Sequence, residues 1–194
     1  AFYYDYSNLQ VAYYPAGQAF TLNAASSEIF GLEAQARYAV TPEFQVSISG
    51  AWVDAEYDDF PNSYRYDRDP IYGLYGTVPV DASGFEMQRA PEFTGTLSAR
   101  YETDLADGVL ALSGSLYYTS SFYFDPAEQF EEDAYTTLGL RAAWTDPSER
   151  YTLAIYGDNL TDDEYRTQIA AHDIGIGALW AAPLTVGASV TVNF

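Results

Sequence analysis

The sequence predicts an all-β protein, an antiparallel transmembrane β-barrel, and three features lead to that prediction. The final stretch alternates between two kinds of side chain, the connections between predicted strands alternate between short and long, and aromatic residues make up 17% of the chain. No run of about 18 apolar residues occurs, which excludes a membrane-spanning helix. Barrel strands cross a bilayer without such a run, because only alternate residues face lipid.

The last twelve residues, 183–194, show the alternation most clearly. One side of the extended chain is apolar and carries Leu184, Val186, Ala188, Val190, Val192 and Phe194. The other side is small or polar and carries Thr185, Gly187, Ser189, Thr191 and Asn193. Successive side chains of a strand point to opposite faces, so this strand has one apolar and one polar surface. An exposed apolar row invites aggregation in water, but lipid solvates it when the strand edges are paired in a barrel.

Seven further segments alternate with a period of two, which gives eight predicted strands. They begin near Phe2, Phe30, Phe44, Phe93, Leu110, Leu138 and Tyr151. The first is predicted to run through about Tyr14. In the third, the apolar set changes phase near Gly50 to Val53, Ala55 and Tyr57, which indicates either a bulge or the point where the strand leaves the bilayer.

The connections support an outer-membrane barrel, a class with short periplasmic turns and longer extracellular loops. Short turns are predicted at 41–43, 105–108 and 145–149, and longer loops at 15–25, 58–88, 125–133 and 159–182. Aromatic residues cluster near the short turns and the C-terminus, where one girdle is expected: Tyr38, Phe44, Tyr101, Trp144, Tyr151 and Phe194. A soluble β-sandwich that binds carbohydrate is a further alternative, but it has no reason to keep this asymmetry.

The composition excludes several classes of function. The chain has 28 acidic and 8 basic residues, all of the latter Arg, and a formal net charge of −20, which argues against nucleic-acid binding. It has no Cys and therefore no disulfide framework or thiolate chemistry. No cofactor is expected. The chain opens in mid-pattern at AFYYDY, which predicts a fragment of a longer protein.

The long loop at 58–88 holds the richest group of candidate substrate contacts, because Tyr and Arg side chains offer both apolar surface and forked hydrogen-bond donors. The candidates are Tyr64, Arg65, Tyr66, Asp67, Arg68, Tyr72 and Tyr75. A loop held by a rigid scaffold commonly carries binding residues. The alternative is a solvated loop whose charges pair among themselves.

Inward-pointing positions of the predicted strands carry charged and polar residues that would face the barrel lumen. They are Glu33, Gln35, Arg37, Arg100, Glu102 and Arg141. Such residues either contact a domain inside the barrel, line a path, or form the wet interior of any barrel. Arg37 with Glu33, and Arg100 with Glu102, are expected to lie within reach of each other or of neighbouring strands.

His172 is the single His of the chain and precedes Asp173. Adjacent side chains of a strand point apart and no nucleophile can be placed beside them, so His172 is predicted to be a loop residue available to substrate and not a catalytic base. Asp158, Asp162, Asp163 and Glu164 lack the spacing of a calcium loop. They are predicted to serve in a turn, and no metal site is predicted.

Several ordered segments resemble the C-terminal part of TonB-dependent outer-membrane receptors. They are 2–11 (FYYDYSNLQV), 29–33 (IFGLE), 53–57 (VDAEY), 89–93 (RAPEF) and 157–165 (GDNLTDDEY). The last is the most specific, because Asn159-Leu160-Thr161-Asp162 is similar to a segment that precedes the final strand in this family. The terminal Phe194 is also similar to the family's C-terminal aromatic residue.

The resemblance implies that residues 1–194 are the last eight strands of a barrel of about 22, with a plug domain in the lumen. It implies active uptake of a scarce nutrient (a ferric siderophore, cobalamin or an oligosaccharide) across the bacterial outer membrane. The expected partners are outer-membrane lipid, the plug and remaining strands, a TonB-type energy transducer, and the barrel-assembly machinery, which would recognise Phe194. The plug, the energy-coupling box and the earlier strands are missing. An enzyme is not expected, although a small self-closed outer-membrane barrel acting as an enzyme or adhesin is the alternative.

Overall fold

The structure, a computed structural model, describes residues 1–13, 20–23, 26–172 and 174–194. Their regular structure consists of sixteen strands. In chain order these are β1 (Phe2–Ser7), β2 (Gln10–Tyr13), β3 (Phe20–Asn23), β4 (Ser26–Ala39), β5 (Phe44–Asp59), β6 (Ser63–Arg68), β7 (Tyr75–Val80), β8 (Phe93–Leu105), β9 (Gly108–Thr119), β10 (Phe122–Tyr123), β11 (Glu131–Glu132), β12 (Tyr135–Thr145), β13 (Tyr151–Asp158), β14 (Arg166–His172), β15 (Gly175–Trp180) and β16 (Thr185–Val192). Within these ranges there is no helix long and apolar enough to span a membrane.

Eight of the strands form one antiparallel sheet in the order β1-β4-β5-β8-β9-β12-β13-β16. They correspond to the eight strands predicted from the alternation, so the all-β antiparallel prediction is confirmed. The other eight form four two-stranded hairpins, β2–β3, β6–β7, β10–β11 and β14–β15. All four lie between strands of the main sheet where long loops were predicted, so one end of the sheet carries only short turns and the other carries the hairpins.

The first predicted strand is shorter than the sequence indicated. Asn8 adopts a left-handed conformation with φ of 59°, and this breaks the strand into β1, which joins the main sheet, and β2, which pairs with β3 instead. Asn tolerates positive φ better than most residues. The predicted end at Tyr14 and the loop residues 14–19 lie outside the described residues.

One face of the main sheet is apolar. The register aligns Ile48 with Leu97, Leu97 with Leu116, and Leu116 with Leu138, so a row of aliphatic side chains crosses four strands. Ile48, Leu97 and Leu116 are 57%, 46% and 38% exposed. A surface of this extent would be unfavourable in water, whereas a hydrocarbon environment solvates it.

The opposite face is small and polar. Ser49 aligns with Gln35 on one side and Thr96 on the other, and the hydroxyls of Ser98 and Ser115 lie 3.1 Å apart across two strands. This face contains open depressions. Each main-sheet strand therefore separates two environments, one for each face.

Of the two interpretations of the phase change near Gly50, the bulge is wrong. Gly50 pairs regularly with Ala34 and Gly95, and β5 keeps its register to the hairpin end, where the shift falls between Ser26 and Ser27. The phase change arises because the polar face becomes covered there. Val53, Ala55 and Tyr57 lie on that face, and Tyr57 packs with Val11, Phe60 and Ala82 in a small core beneath the loop that follows β5.

The short turns are confirmed and are tightly built. Ala106 and Asp107 both have positive φ, 53° and 63°, the conformation of a two-residue hairpin turn. The Trp144 ring lies over Gly108, where an added Cβ would come within 2.9 Å of it, and the Trp144 indole N–H donates to the Leu105 carbonyl at 2.8 Å. Trp144, which lies on the neighbouring strand β12, therefore holds this turn in place.

We expect the same substitution to be destabilising on the apolar face and to be tolerated on the polar face. Ile48→Arg places a charge on the apolar face and should cost about 2–4 kcal/mol of unfolding free energy if the site lies near the bilayer midplane. Ser49→Arg is the matched control, since the neighbouring side chain faces the open polar side. Urea unfolding of the complete protein in lipid vesicles measures both. An equal loss for the two variants would contradict the assignment of faces.

Candidate functional site

The hairpin β6–β7 carries most of the candidate substrate contacts, and its charges are partly used internally. The Arg65 guanidinium lies 3.1 Å from the Asp67 carboxylate, and Arg68 donates to the Gly73 carbonyl at 3.3 Å. Tyr66 is only 8% exposed and packs edge-on against Tyr64. The Arg65–Asp67 pair is the self-paired arrangement that the sequence left open as the alternative to a substrate contact.

The tip of this hairpin is apolar, aromatic and exposed. Ile71 and Tyr72 are 81% and 79% exposed, and the turn that presents them is fixed by one carboxylate of Asp69, which accepts both of their amides at 2.7 and 2.9 Å. The hydrogen bond from the Tyr72 amide and, to a smaller extent, the one from the Ile71 amide hold the pKa of Asp69 below its usual value. Of the predicted aromatic contacts, Tyr72 is thus presented outward, whereas Tyr75 is half-buried at the start of β7.

A glutamine from a neighbouring loop clamps β6. The Gln129 side-chain carbonyl accepts the Tyr66 amide at 2.8 Å, and its amide nitrogen donates to the Tyr66 carbonyl at 2.6 Å. The side chain thereby imitates one residue of a paired strand along the outer edge of β6. The loop at 120–134 and the hairpin β6–β7 are therefore held together.

A buried ion pair joins the same loop to the last hairpin. The Arg166 guanidinium donates to the Glu132 carboxylate at 2.7 Å and to the Glu131 carbonyl at 2.6 Å, and it lies over the Trp180 ring. The Glu132 side chain is only 5% exposed, so this pair is shielded from water. Breaking it would leave a buried charge without a partner.

Three tyrosines extend this contact along the polar face. Tyr135 and Tyr165 stack with ring centroids 3.9 Å apart and an interplanar angle of 8°, and Tyr117 lies 6.2 Å from Tyr135. A depression of about 230 Å³ adjoins the stack and is lined in part by Trp180 and Arg166. Aromatic surface, a guanidinium and several carboxylates therefore meet at the hairpin end of the sheet.

Carboxylates crowd around Glu86 in the loop that follows β7. Its pKa is raised, first by desolvation and then by the negative charges of Glu128, Glu92, Glu131 and Glu56. The Glu86 backbone amide donates to the Glu128 side-chain carboxylate at 2.9 Å, so the hydrogen bond that joins the two loops also brings like charges together. Packing these loops together therefore carries an electrostatic cost, because it brings several carboxylates close to one another.

The register places all six predicted lumenal residues on the polar face: Glu33, Gln35, Arg37, Arg100, Glu102 and Arg141. The expected pair of Arg100 with Glu102 forms, as an exposed ion pair. The expected pair of Arg37 with Glu33 is not within ion-pair distance in the described chain. A depression of about 720 Å³ contains all three arginines.

The segment after β13 has the turn role predicted for it. Asp163 accepts the Thr136 amide at 2.8 Å, and Asn159, with φ of 48°, donates to the carbonyls of Asp163 and Ala182. Over the described ranges, no three His, Asp or Glu side chains are grouped closely enough to hold a metal ion. His172 is exposed at the end of β14, and Asp173 lies outside the described residues.

Sequence reasoning missed the contacts between loops. Gln129 and the Glu132–Arg166 pair join positions 63 and 34 residues apart, and neither has a local motif. The hairpins β6–β7 and β14–β15 were also missed, since polar residues and glycines interrupt their alternation. The surplus of aromatic residues in the predicted loops was the one signal that these loops pack.

This chain belongs to the family described as TonB dependent receptor-like, beta-barrel, which matches residues 1–160. Members of this family are outer-membrane proteins, so the chain is an outer-membrane β-barrel protein. The predicted family and location are confirmed. In barrels of this class the short turns are typically periplasmic and the longer loops extracellular.

Individual relatives agree in fold. The pesticin receptor of Yersinia enterocolitica is 24% identical over 192 residues, and the ferrichrome outer membrane transporter/phage receptor of Escherichia coli is 27% identical over 193 residues. These matches cover 99% and 93% of this chain but 25% and 22% of those proteins. Among solved structures, the ferric yersiniabactin uptake receptor FyuA from Yersinia pestis superposes with a TM-score of 0.77 at 21% identity, over 99% of this chain and 26% of its own. The chain thus spans about a quarter of the length of its relatives.

Removing the glutamine clamp should loosen the β6–β7 hairpin. Gln129→Ala deletes two hydrogen bonds to the partly buried Tyr66 backbone, at a cost of about 1–3 kcal/mol, so exchange of the Tyr66 amide should accelerate by roughly one to two orders of magnitude. Hydrogen–deuterium exchange with fragment resolution measures it. Arg65→Ala, which removes an exposed ion pair, should change exchange little. Unchanged protection in Gln129→Ala would contradict the clamp.

Protonation of Glu86 should stabilise the closed loops. Its folded pKa lies above the ordinary value of 4.5, so the closed state binds the proton more tightly and gains stability as pH falls through that folded pKa. At pH 7, Glu86→Gln should therefore slow exchange over 84–92. Asp69→Asn is a control whose effect on exchange should have the opposite sign. The lowered pKa of Asp69 means that its charged carboxylate stabilises the turn, so its neutralisation should loosen that turn. Faster exchange in Glu86→Gln would refute the electrostatic account.

Proposed function

We propose that this chain is the C-terminal wall of a transport barrel that takes up a scarce nutrient across the outer membrane. In this proposal residues 1–194 supply the last eight strands of a barrel of about 22, a plug domain fills the lumen, and a TonB-type protein in the periplasm supplies the energy. Phe194, which is fully exposed beyond β16, would be recognised by the barrel-assembly machinery.

The observation that carries the proposal is a sheet with two chemically distinct faces and two open edges. Among the described residues, β1 pairs only with β4 in the main sheet and β16 only with β13. Open edges cannot persist in lipid, because unpaired backbone groups there cost several kcal/mol each. In the proposed barrel, further strands pair with these edges and close a wide barrel with a polar lumen. The alternative of a small self-closed barrel requires β1 to pair with β16, and no such pairing supports it.

The substrate we favour is a ferric siderophore. Relatives and structural neighbours carry the names ferrichrome transporter, ferric yersiniabactin uptake receptor and siderophore receptor PiuA, which supports an iron chelate over cobalamin or an oligosaccharide. In this proposal the extracellular contacts come from the exposed Tyr72 and from Arg65, Arg68, Tyr75 and His172. The edge-on pair of half-buried Tyr64 with buried Tyr66 would support the hairpin that presents them.

Growth on defined iron sources tests the proposal. A strain that lacks the gene should fail to grow under iron limitation on one chelate while growing normally on ferrous iron, and the complete gene should restore growth. Loss of the energy transducer should abolish the same uptake in the complemented strain. Uptake of radioactive iron from a panel of chelates gives the substrate class directly. Undiminished uptake of every chelate, cobalamin and oligosaccharide tested would contradict a transport role.

A further inference from the structure

Three arginines occupy two neighbouring rows on the lumenal face. Arg100 aligns with Ser113, and Ser113 aligns with Arg141, while Arg37 lies one row nearer the extracellular side, opposite Ser47. All three line the same open depression of about 720 Å³. These are three of the eight basic residues in a chain with a net charge of −20.

Two of these guanidiniums have no partner. Arg100 pairs with Glu102, but neither Arg37 nor Arg141 makes an ion pair or side-chain hydrogen bond within the part of the chain that the structure describes. Asp158 lines the same depression and is not within ion-pair distance of either. The other polar side chains there are neutral: four serines, Gln45 and Tyr156. The surface therefore offers more donors than it has acceptors to satisfy them.

Hydration of the inner barrel wall does not require these charges. The neighbouring depression on the same face is lined by Gln35, Ser49, Thr94 and Thr96, with Glu33 as its charged member. Neutral hydroxyl and amide groups are sufficient to hydrate a lumen. An Arg fork, in contrast, matches a carboxylate in geometry as well as charge, and it is favoured where a specific anionic partner is held.

The spacing favours a protein partner over a small anion. Arg37 on β4 and Arg141 on β12 are separated by four interstrand steps, β4–β5–β8–β9–β12, which is roughly 19 Å along the sheet. A single carboxylate or phosphate cannot contact both guanidiniums. A folded domain presents side chains at such intervals on one surface. This chain spans about a quarter of the length of its relatives, and in the proposed function the enclosed domain is a further part of the receptor.

We propose that Arg37 and Arg141, with Arg100 between them, form a docking surface for carboxylate side chains of the domain that fills the lumen. The inference rests on the proposed function, since it needs a barrel whose lumen is filled. In this arrangement the barrel wall supplies the cations and the enclosed domain supplies the anions. The two charge pairs would hold the domain against the wall near the periplasmic exit.

Charge reversal in the complete receptor tests the docking surface. Arg37→Glu with Arg141→Glu places carboxylates opposite carboxylates, so the domain should loosen and the lumen should open. The measurement is the conductance of purified receptor in planar bilayers, where wild type should stay closed and the double variant should show long-lived openings. Arg150→Glu is the control for the type of substitution, because it makes one Arg→Glu change, half the charge change of the double variant, in a turn outside the lumen. It should stay closed.

Milder variants guard against misfolding. Arg37→Gln with Arg141→Gln removes the charges without adding repulsion and should give a smaller rise in conductance. Arg37→Lys with Arg141→Lys keeps the charges and should have a conductance closer to that of wild type. Heat-dependent gel migration verifies that each barrel is folded. Higher salt should increase the openings of the Gln pair further, since it screens the remaining contacts.

The outcomes separate the alternatives. If the charge-reversed receptor folds and stays closed, the docking surface is refuted, and a selective loss of anionic chelate uptake in it would show that the arginines contact substrate instead. A closed lumen with unchanged uptake would show that they only hydrate the wall. If wild type takes up no nutrient, the proposed function fails, while the conductance result still decides the docking surface.

Discussion

The fold depends on one constraint: every strand of the main sheet must satisfy its backbone hydrogen bonds and also present its two faces to different environments. The ladder of eight antiparallel strands meets the first requirement except at its two edges. The alternation of side chains meets the second, because a shift of one residue would move every apolar side chain into the lumen. The regular register at Gly50, where the composition changes but the pairing does not, shows how strongly this constraint holds.

The hairpin end of the sheet is stabilised differently from the rest of the sheet. There the chain builds a small core around Tyr57 and Phe60 and joins its loops through Gln129 and through the buried pair of Glu132 with Arg166. These contacts convert long loops into a packed layer above the sheet. The layer keeps an exposed apolar tip at Tyr72 and carries excess negative charge around Glu86. A layer of this kind can hold a ligand while retaining loops of limited stability that are able to move.

The main sheet could be predicted from the sequence, and the loop layer could not. A period of two is a local signal, so the strands around Ile48, Leu97 and Val190 were identified without knowledge of their neighbours. The position of Arg37, Arg100 and Arg141 on the polar face followed from the same period. Gln129, Arg166 and Tyr165 act through partners more than twenty residues away, and their residue types are equally common in solvated loops. The phase change after Gly50 was detected but misread in part, because a buried polar-face position and a bulge give the same pattern.

The account depends most on lipid contact along the apolar rows, and β16 offers the most direct test. Single nitroxide labels at successive positions from 185 to 192 in the complete protein, reconstituted in vesicles, report collision rates with oxygen, which concentrates in lipid, and with a polar nickel reagent, which stays in water. The account predicts oxygen-rich contact at the even positions and not at the odd ones. Even positions that neither reagent reaches would mean that the row is packed against protein in a dry interior, and the barrel assignment would then be wrong.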